Sequence, residues 1–323
     1  MAMHSTKGQD VTTQEQKEYL WPALPFEAWK DTYDTLHMWT QVVGKVNLAL
    51  APFLNEWWQV PFDITARGMT TGLIPYGDGA FTVDFDFIDH NLVVLTDDGG
   101  RKTLSLMPRS VADFYREFMA MLAALGIAVT IDPMPVEVPD PIPFDVDVGH
   151  ASYDAGAVNR WWRIQVQTAR VLQRYRSSFM GKSSPIGFFW GSFDLSHTRF
   201  SGRPAPLPEG PRFAQLAEDQ ENVACGFWPG NPSRPGQPAS APAFYAYAYP
   251  EPDGFAEAPV QPEAAYFDSA LGEFILPYEE LRRSAEPERD LLAFFQTTYQ
   301  TAATLAGWDR QALERQTPEG VMP

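Results

Sequence analysis

Between Ile131 and Gly149 the chain reads "IDPMPVEVPDPIPFDVDVG", in which five residues are proline. Proline has no N–H to donate and a fixed φ, so it is excluded from helix interiors and from central strands. The run therefore takes an extended, polyproline-like course without helix. It divides the 323-residue chain into two parts, each of which must find its own regular structure. The run is also acidic.

On either side of it the hydrophobic periodicity follows one plan. Residues 27–51 read as a helix in which Leu36, Trp39, Val43, Val46 and Leu50 recur at three- and four-residue steps, with Pro52 as the stop. Strands are expected at "PFDITARGM" and "FTVDFDFIDH", then a hairpin at "NLVVLTDDGGRKTLSL" and a helix over 109–125 ended by Gly126. After the proline run comes a helix over 156–179, then strands at "GFFWGSFDLSHTRF" and "AFYAYAYPEP". A hairpin at "AAYFDSALGEFILPY" and a helix over 288–306 ended by Gly307 complete the series.

Local matches support an internal duplication. Phe62–Thr65 answers Phe193–Ser196 at an offset of 131, Phe81 answers Phe244, and Gly126 answers Gly307. The expected fold is α+β, with two pseudo-repeated helix–antiparallel strands–helix halves that can share one core. Residues 1–19 read as a disordered tail, 20–130 as the first half and 131–150 as the linker. Residues 151–310 read as the second half with an irregular insertion at 203–243, and 311–323 as a flexible tail.

The runs "TLHMWTQVVGKV", "GKSSPIGFFWGSFDLSHTRFSGR", "CGFWPG", "FYAYAYPEPDGF" and "GEFILPYEELR" resemble a bacterial family catalogued only as a domain of unknown function, number 5996, over roughly residues 20 to 310. That resemblance implies no activity, substrate or cofactor, so the chemistry has to be read from the residues.

A net charge of −17 disfavours nucleic acid and anionic membrane as partners. No apolar run reaches the ~20 residues of a spanning helix, and no signal peptide is legible, so a cytoplasmic location is expected. The single cysteine, Cys225, rules out an intrachain disulfide. As a nucleophile it would need a base such as His197, and a lone cysteine is more often inert.

Against the acidic background, residues 155–193 contain no Asp or Glu but carry Arg160, Arg163, Arg170, Arg174, Arg176 and Lys182. "GKSS" lacks the glycine that a phosphate loop needs five residues upstream, where Arg176 stands. What remains is an anion pocket built from Lys182, Arg199 and Arg203. The plainer alternative pairs the basic helix with the acidic linker. Strand alternation puts His197 and Arg199 on one face and Asp194 on the other, so no Asp–His dyad forms within the strand. His197 has no counterpart in the first half, which makes it the better acid–base candidate. His37, Gln41 and Lys45 form a polar file on the first helix, either wetted or lining a cleft. Asp84, Asp86 and His90 could hold a metal, but two carboxylates on one strand are usually its wet side, and no metal or cofactor is assigned. The tyrosines of "FYAYAY" share one face, as core, as a subunit interface or as a stacking wall.

The expected function is binding of a small anionic or aromatic molecule in a cleft between the halves, with or without catalysis. Its walls would be Lys182, Trp190, His197, Arg199 and Arg203, with His37, Lys45 and Trp228 opposite. His197 and His37 are the catalytic candidates. The alternative is a non-enzymatic interaction or self-association module, a homo-oligomer included.

Overall fold

The computed structural model of the protein describes residues 13–209, 212–230 and 240–315. The first half opens with α1 (Thr13–Leu20) and α2 (Lys30–Leu50). It continues through β1 (Asp63–Ile64), β2 (Gly68–Thr70), β3 (Ile74–Tyr76), β4 (Gly79–Asp86), β5 (Asn91–Thr96) and β6 (Arg101–Ser105) to α3 (Val111–Ala124). The second half runs from α4 (Ala155–Ser177) through β7 (Gly187–Phe189), β8 (Asp194–Pro204), α5 (Arg212–Ala217) and β9 (Gln220–Trp228). It ends with β10 (Ala243–Tyr249), β11 (Tyr266–Asp268), β12 (Glu273–Pro277), α6 (Tyr278–Arg283), α7 (Pro287–Leu305) and α8 (Arg310–Leu313).

The fold is α+β, with two six-stranded antiparallel sheets among the described residues. The first has the order β1-β2-β4-β5-β6, with β3 also on β4, and the second the order β11-β12-β10-β9-β8-β7. In β4 the alternation is plain: Phe81, Val83 and Phe85 are buried while Thr82, Asp84 and Asp86 are not. Two helix ends share one chemistry. Gly126 and Gly307 both take positive φ, and the residues after them donate back to Leu122 O (3.0 Å) and Ala303 O (2.8 Å). Such a left-handed cap satisfies orphan carbonyls at a conformation glycine adopts without strain.

The sheets meet edge to edge at one antiparallel bridge, in which Phe62 and Phe188 exchange N–H···O bonds of 2.9 and 2.8 Å. Around that seam the core is continuous. Trp161 of α4 stacks on Phe193 at 5.0 Å and meets Phe188 and Phe87 edge-on. The seam expected to be a cleft is packed with aromatic rings.

Several expectations need correction. "GFFWGSFDLSHTRF" is a hairpin, β7 and β8, turned at Trp190–Phe193. Asp63 lies on the edge strand β1, whereas Asp194 lies on β8 between β7 and β9, so the offset of 131 does not relate equivalent strands. The insertion expected to be irregular supplies β9, an interior strand of the second sheet. Residues 13–19 of the expected N-terminal tail lie in α1, while 1–12 lie outside the described residues. Arg310–Leu313 form α8, and the expected tail from 316 onward likewise lies outside. Between Gly126 and Asp154 there is neither helix nor strand.

Candidate functional site

The cations of 182–203 are all engaged. Lys182 forms an ion pair with Glu56 and lies 4.6 Å above the Phe200 ring. Arg203 bonds Glu221 (2.6 Å) and Ala306 O (2.7 Å). Arg199 is fully buried, donating to Tyr175 O and to Ser178 Oγ (3.1 Å) at the C-terminus of α4, with its guanidinium 3.4 Å above the Tyr175 ring. The helix dipole and the π-face balance its charge, so it caps a helix and meets no solvent. His197 is equally buried, its Nδ1 3.4 Å from Ser184 Oγ. Burial, then Arg199 and Arg176, push its pKa down to about 3, so it is neutral. His197 and Arg199 do share a face, as alternation required, but that face is the core.

The other candidates scatter. Trp190 lies flat on Gly44 of α2 and donates to Val60 O at 3.0 Å. Trp228 meets Tyr245 at 4.9 Å with the rings tilted, on the sheet face that does not carry His197. On that face Tyr245 and Ser192 both donate to Asp194, whose carboxyl burial pushes up. Cys225 is buried and its thiol pKa raised by desolvation, which makes it inert at neutral pH. The basic helix pairs with α7 and not with the linker: Arg170 and Arg174 reach Glu288 at 3.0 and 3.3 Å.

The linker goes instead to the polar file of α2. His37, Gln41 and Lys45 are all buried. The Gln41 amide exchanges two hydrogen bonds with the Val136 backbone, at 2.8 and 2.9 Å, and Lys45 donates to Met134 O. Asp132 stands 3.8 Å from Lys45, partly offsetting the lowering of its pKa by burial. The chemistry is complementary. The Met134 and Val136 carbonyls, which no strand or helix pairs, accept from the side-chain donors of the helix face, and the Gln41 amide oxygen takes the Val136 N–H.

Where this track reaches His37 the linker lifts away and leaves a cavity of about 160 Å³. Its walls are Tyr33, Asp34, His37 and Met38 of α2, residues 137–142, and His150. Glu137 and Asp140 take left-handed φ of 57° and 47°, a strain of order 1–3 kcal/mol each that recurs at ligand sites. His37 Nε2 lies 2.9 Å from Gly191 O and 3.0 Å from Gln41 Nε2. His150 is held differently. Its Nδ1 is 2.7 Å from Oδ2 of Asp147, which is 1% exposed. Asp147 Oδ1 accepts from the N–H groups of Gly149 and His150, both at 3.1 Å. The turn is pinned to the start of α3, where Ala112 donates to Asp147 O and Val111 to His150 O.

A larger, more open concavity of about 530 Å³ lies among α1, α4 and α7. Its charged groups already have partners: Arg174 pairs with Glu288, Arg289 with Glu286, and Lys17 caps the Ser284 carbonyl. Among the described residues no group of three or more His, Cys, Asp or Glu converges as a metal site requires.

Sequence reasoning misses His150 and Asp147 because "DVDVGH" reads only as the end of the acidic, proline-rich linker. The available signal was an aspartate three residues before a histidine. That spacing lets one carboxylate close the turn and hold the imidazole together.

Fold and cleft together define a two-sheet α+β protein with a histidine-lined hollow beside its joined sheets. The chain belongs to the family of unknown function DUF5996, whose family model matches residues 21–315. No curated protein and no solved structure matches the chain. No helix among the described residues is long and apolar enough to cross a membrane.

Proposed function

We propose that the protein binds a small molecule in the cleft formed by α2, the linker and His150. The observation that carries this reading is the coincidence, in one hollow of about 160 Å³, of two imidazoles with the left-handed linker residues that shape its rim. Apolar and aromatic walls with a few convergent polar groups are the ordinary make-up of such sites. The volume suits a fragment-sized ligand. The lining holds Glu137 and Asp140, with Asp34 met by Lys30 at 2.6 Å, and neither lysine nor arginine lines it, so charge favours a neutral or cationic ligand over the anion expected from sequence. We place this activity in the cytoplasm of a bacterium, on the family resemblance and the lone buried thiol.

The test is a thermal-shift screen of small polar and aromatic compounds against wild type, His150→Ala and Arg203→Ala. A ligand at a hundred times its Kd stabilises the fold by roughly 2.7 kcal/mol. Shifts should vanish in His150→Ala and persist in Arg203→Ala. The reverse pattern would return the site to the 182–203 run.

One observation favours a second reading. Val146 and Val148, on the linker beside this cleft, are 59% and 76% exposed, as a surface for a protein partner would be.

A further inference from the structure

The cleft contains one group whose geometry exceeds what ligand binding needs. Asp147 is a buried carboxylate that uses one oxygen to close its own turn and the other to hold His150 Nδ1. The turn needs only the first oxygen. The second fixes the imidazole's rotation and its tautomer, because a carboxylate accepts and Nδ1 must then carry the proton. Nε2 is left as the lone-pair nitrogen. No described residue hydrogen-bonds to it, and His150 lines the cavity.

We infer, resting on the binding reading above, that His150 Nε2 is the proton acceptor of this cleft, that Asp147 is its positioning residue, and that the ligand is a small neutral or cationic molecule bearing an N–H or O–H. The step moves one proton from the ligand's N–H or O–H to Nε2, leaving the electron pair on the ligand atom. The resulting imidazolium is stabilised by the hydrogen bond from its Nδ1 to Asp147. Return of the proton restores the site, and no oxidant or reductant takes part. Carboxylates and phosphates are disfavoured as ligands by Glu137 and Asp140 on the walls. His37 is the secondary contact, its Nε2 already set against Gly191 O and Gln41.

Diethylpyrocarbonate reads the lone pair directly, since it acylates the unprotonated imidazole nitrogen. At neutral pH, peptide mass mapping of the full-length protein should show His150 modified at least tenfold faster than the buried His197. Asp147→Asn keeps an oxygen for the turn but can donate to Nδ1, which moves the ring proton to Nε2. With the circular dichroism unchanged, that variant should lower the His150 rate at least tenfold, and Asp147→Glu should restore part of it. Equal rates in wild type and a folded Asp147→Asn protein would overturn the inference. The ligand arm is separate: methylammonium and acetamide should protect His150, and acetate and phosphate should not. Protection by the anions would overturn the ligand class while leaving small-molecule binding intact. If none of the four protects, and no compound of the thermal screen binds, the binding reading falls with it.

Discussion

Arg199 is a fully buried cation that no carboxylate reaches among the described residues. It is tolerable because it donates to the Tyr175 carbonyl and the Ser178 hydroxyl at the C-terminus of α4 and its guanidinium lies between aromatic rings, 3.4 Å from Tyr175 and 4.4 Å from Tyr299. His197 beside it titrates under the same constraint. Its pKa falls from 6.5 to about 3 on folding, because burial and Arg199 oppose the charged form. Between those values the unfolded chain binds the extra proton, so stability falls as pH falls, by ~1.4 kcal/mol per pH unit. Glu273 works in the opposite sense. Burial lifts its pKa from 4.5 to about 7, so its contribution grows as pH drops through that window. His197→Gln isolates the first effect. Between pH 6.5 and 5 the variant should gain about 2 kcal/mol on wild type in urea denaturation. Parallel pH profiles would mean that His197 is hydrated and chargeable in the fold. At this scale alternation was legible, since it put His197 and Arg199 on one face. Which face was core was not legible, because a charged side chain normally argues for solvent.

Among the elements, α2 bears on more of the molecule than its amphipathic stripe suggested. One side carries the stripe, another holds the linker through Gln41 and Lys45, and a third, at Gly44, receives the Trp190 indole. A Cβ at position 44 would overlap the indole ring. Alanine is the better helix former by about 1 kcal/mol, yet here overpacking should win. Gly44→Ala is expected to lower stability by on the order of 1–3 kcal/mol and to shift Trp190 fluorescence. A stabilised variant would show that the indole does not sit on the helix. The polar file of α2 could be seen in the sequence, but its partner could not, since a proline-rich run announces its own backbone and not where it docks. β9 escaped notice for a related reason. Val223 to Phe227 are buried with no exposed residue between them, so the strand lacks the alternation by which half-exposed strands are found.

In the whole molecule, the α+β class and the long helices were legible, because amphipathic periods and glycine stops are local. The joint between the sheets was not, since a single Phe62–Phe188 bridge and the Trp161 cluster are long-range facts. The outer edges explain why edge-to-edge self-association is weakly supported: β11 is three residues long and β6 presents Arg101 and Lys102. The same long-range packing fills the seam with aromatic rings and leaves a hollow beside it. Cations that looked unopposed in sequence find Glu56, Glu221 and Glu288 from distant segments. The central claim is therefore one of location, and a crystallographic fragment screen of the native chain tests it most directly. Bound fragments are expected in the hollow between Tyr33, His37 and His150, within hydrogen-bond reach of His150 Nε2. Fragments gathered instead around Lys182 and Arg203, with the hollow vacant, would contradict it.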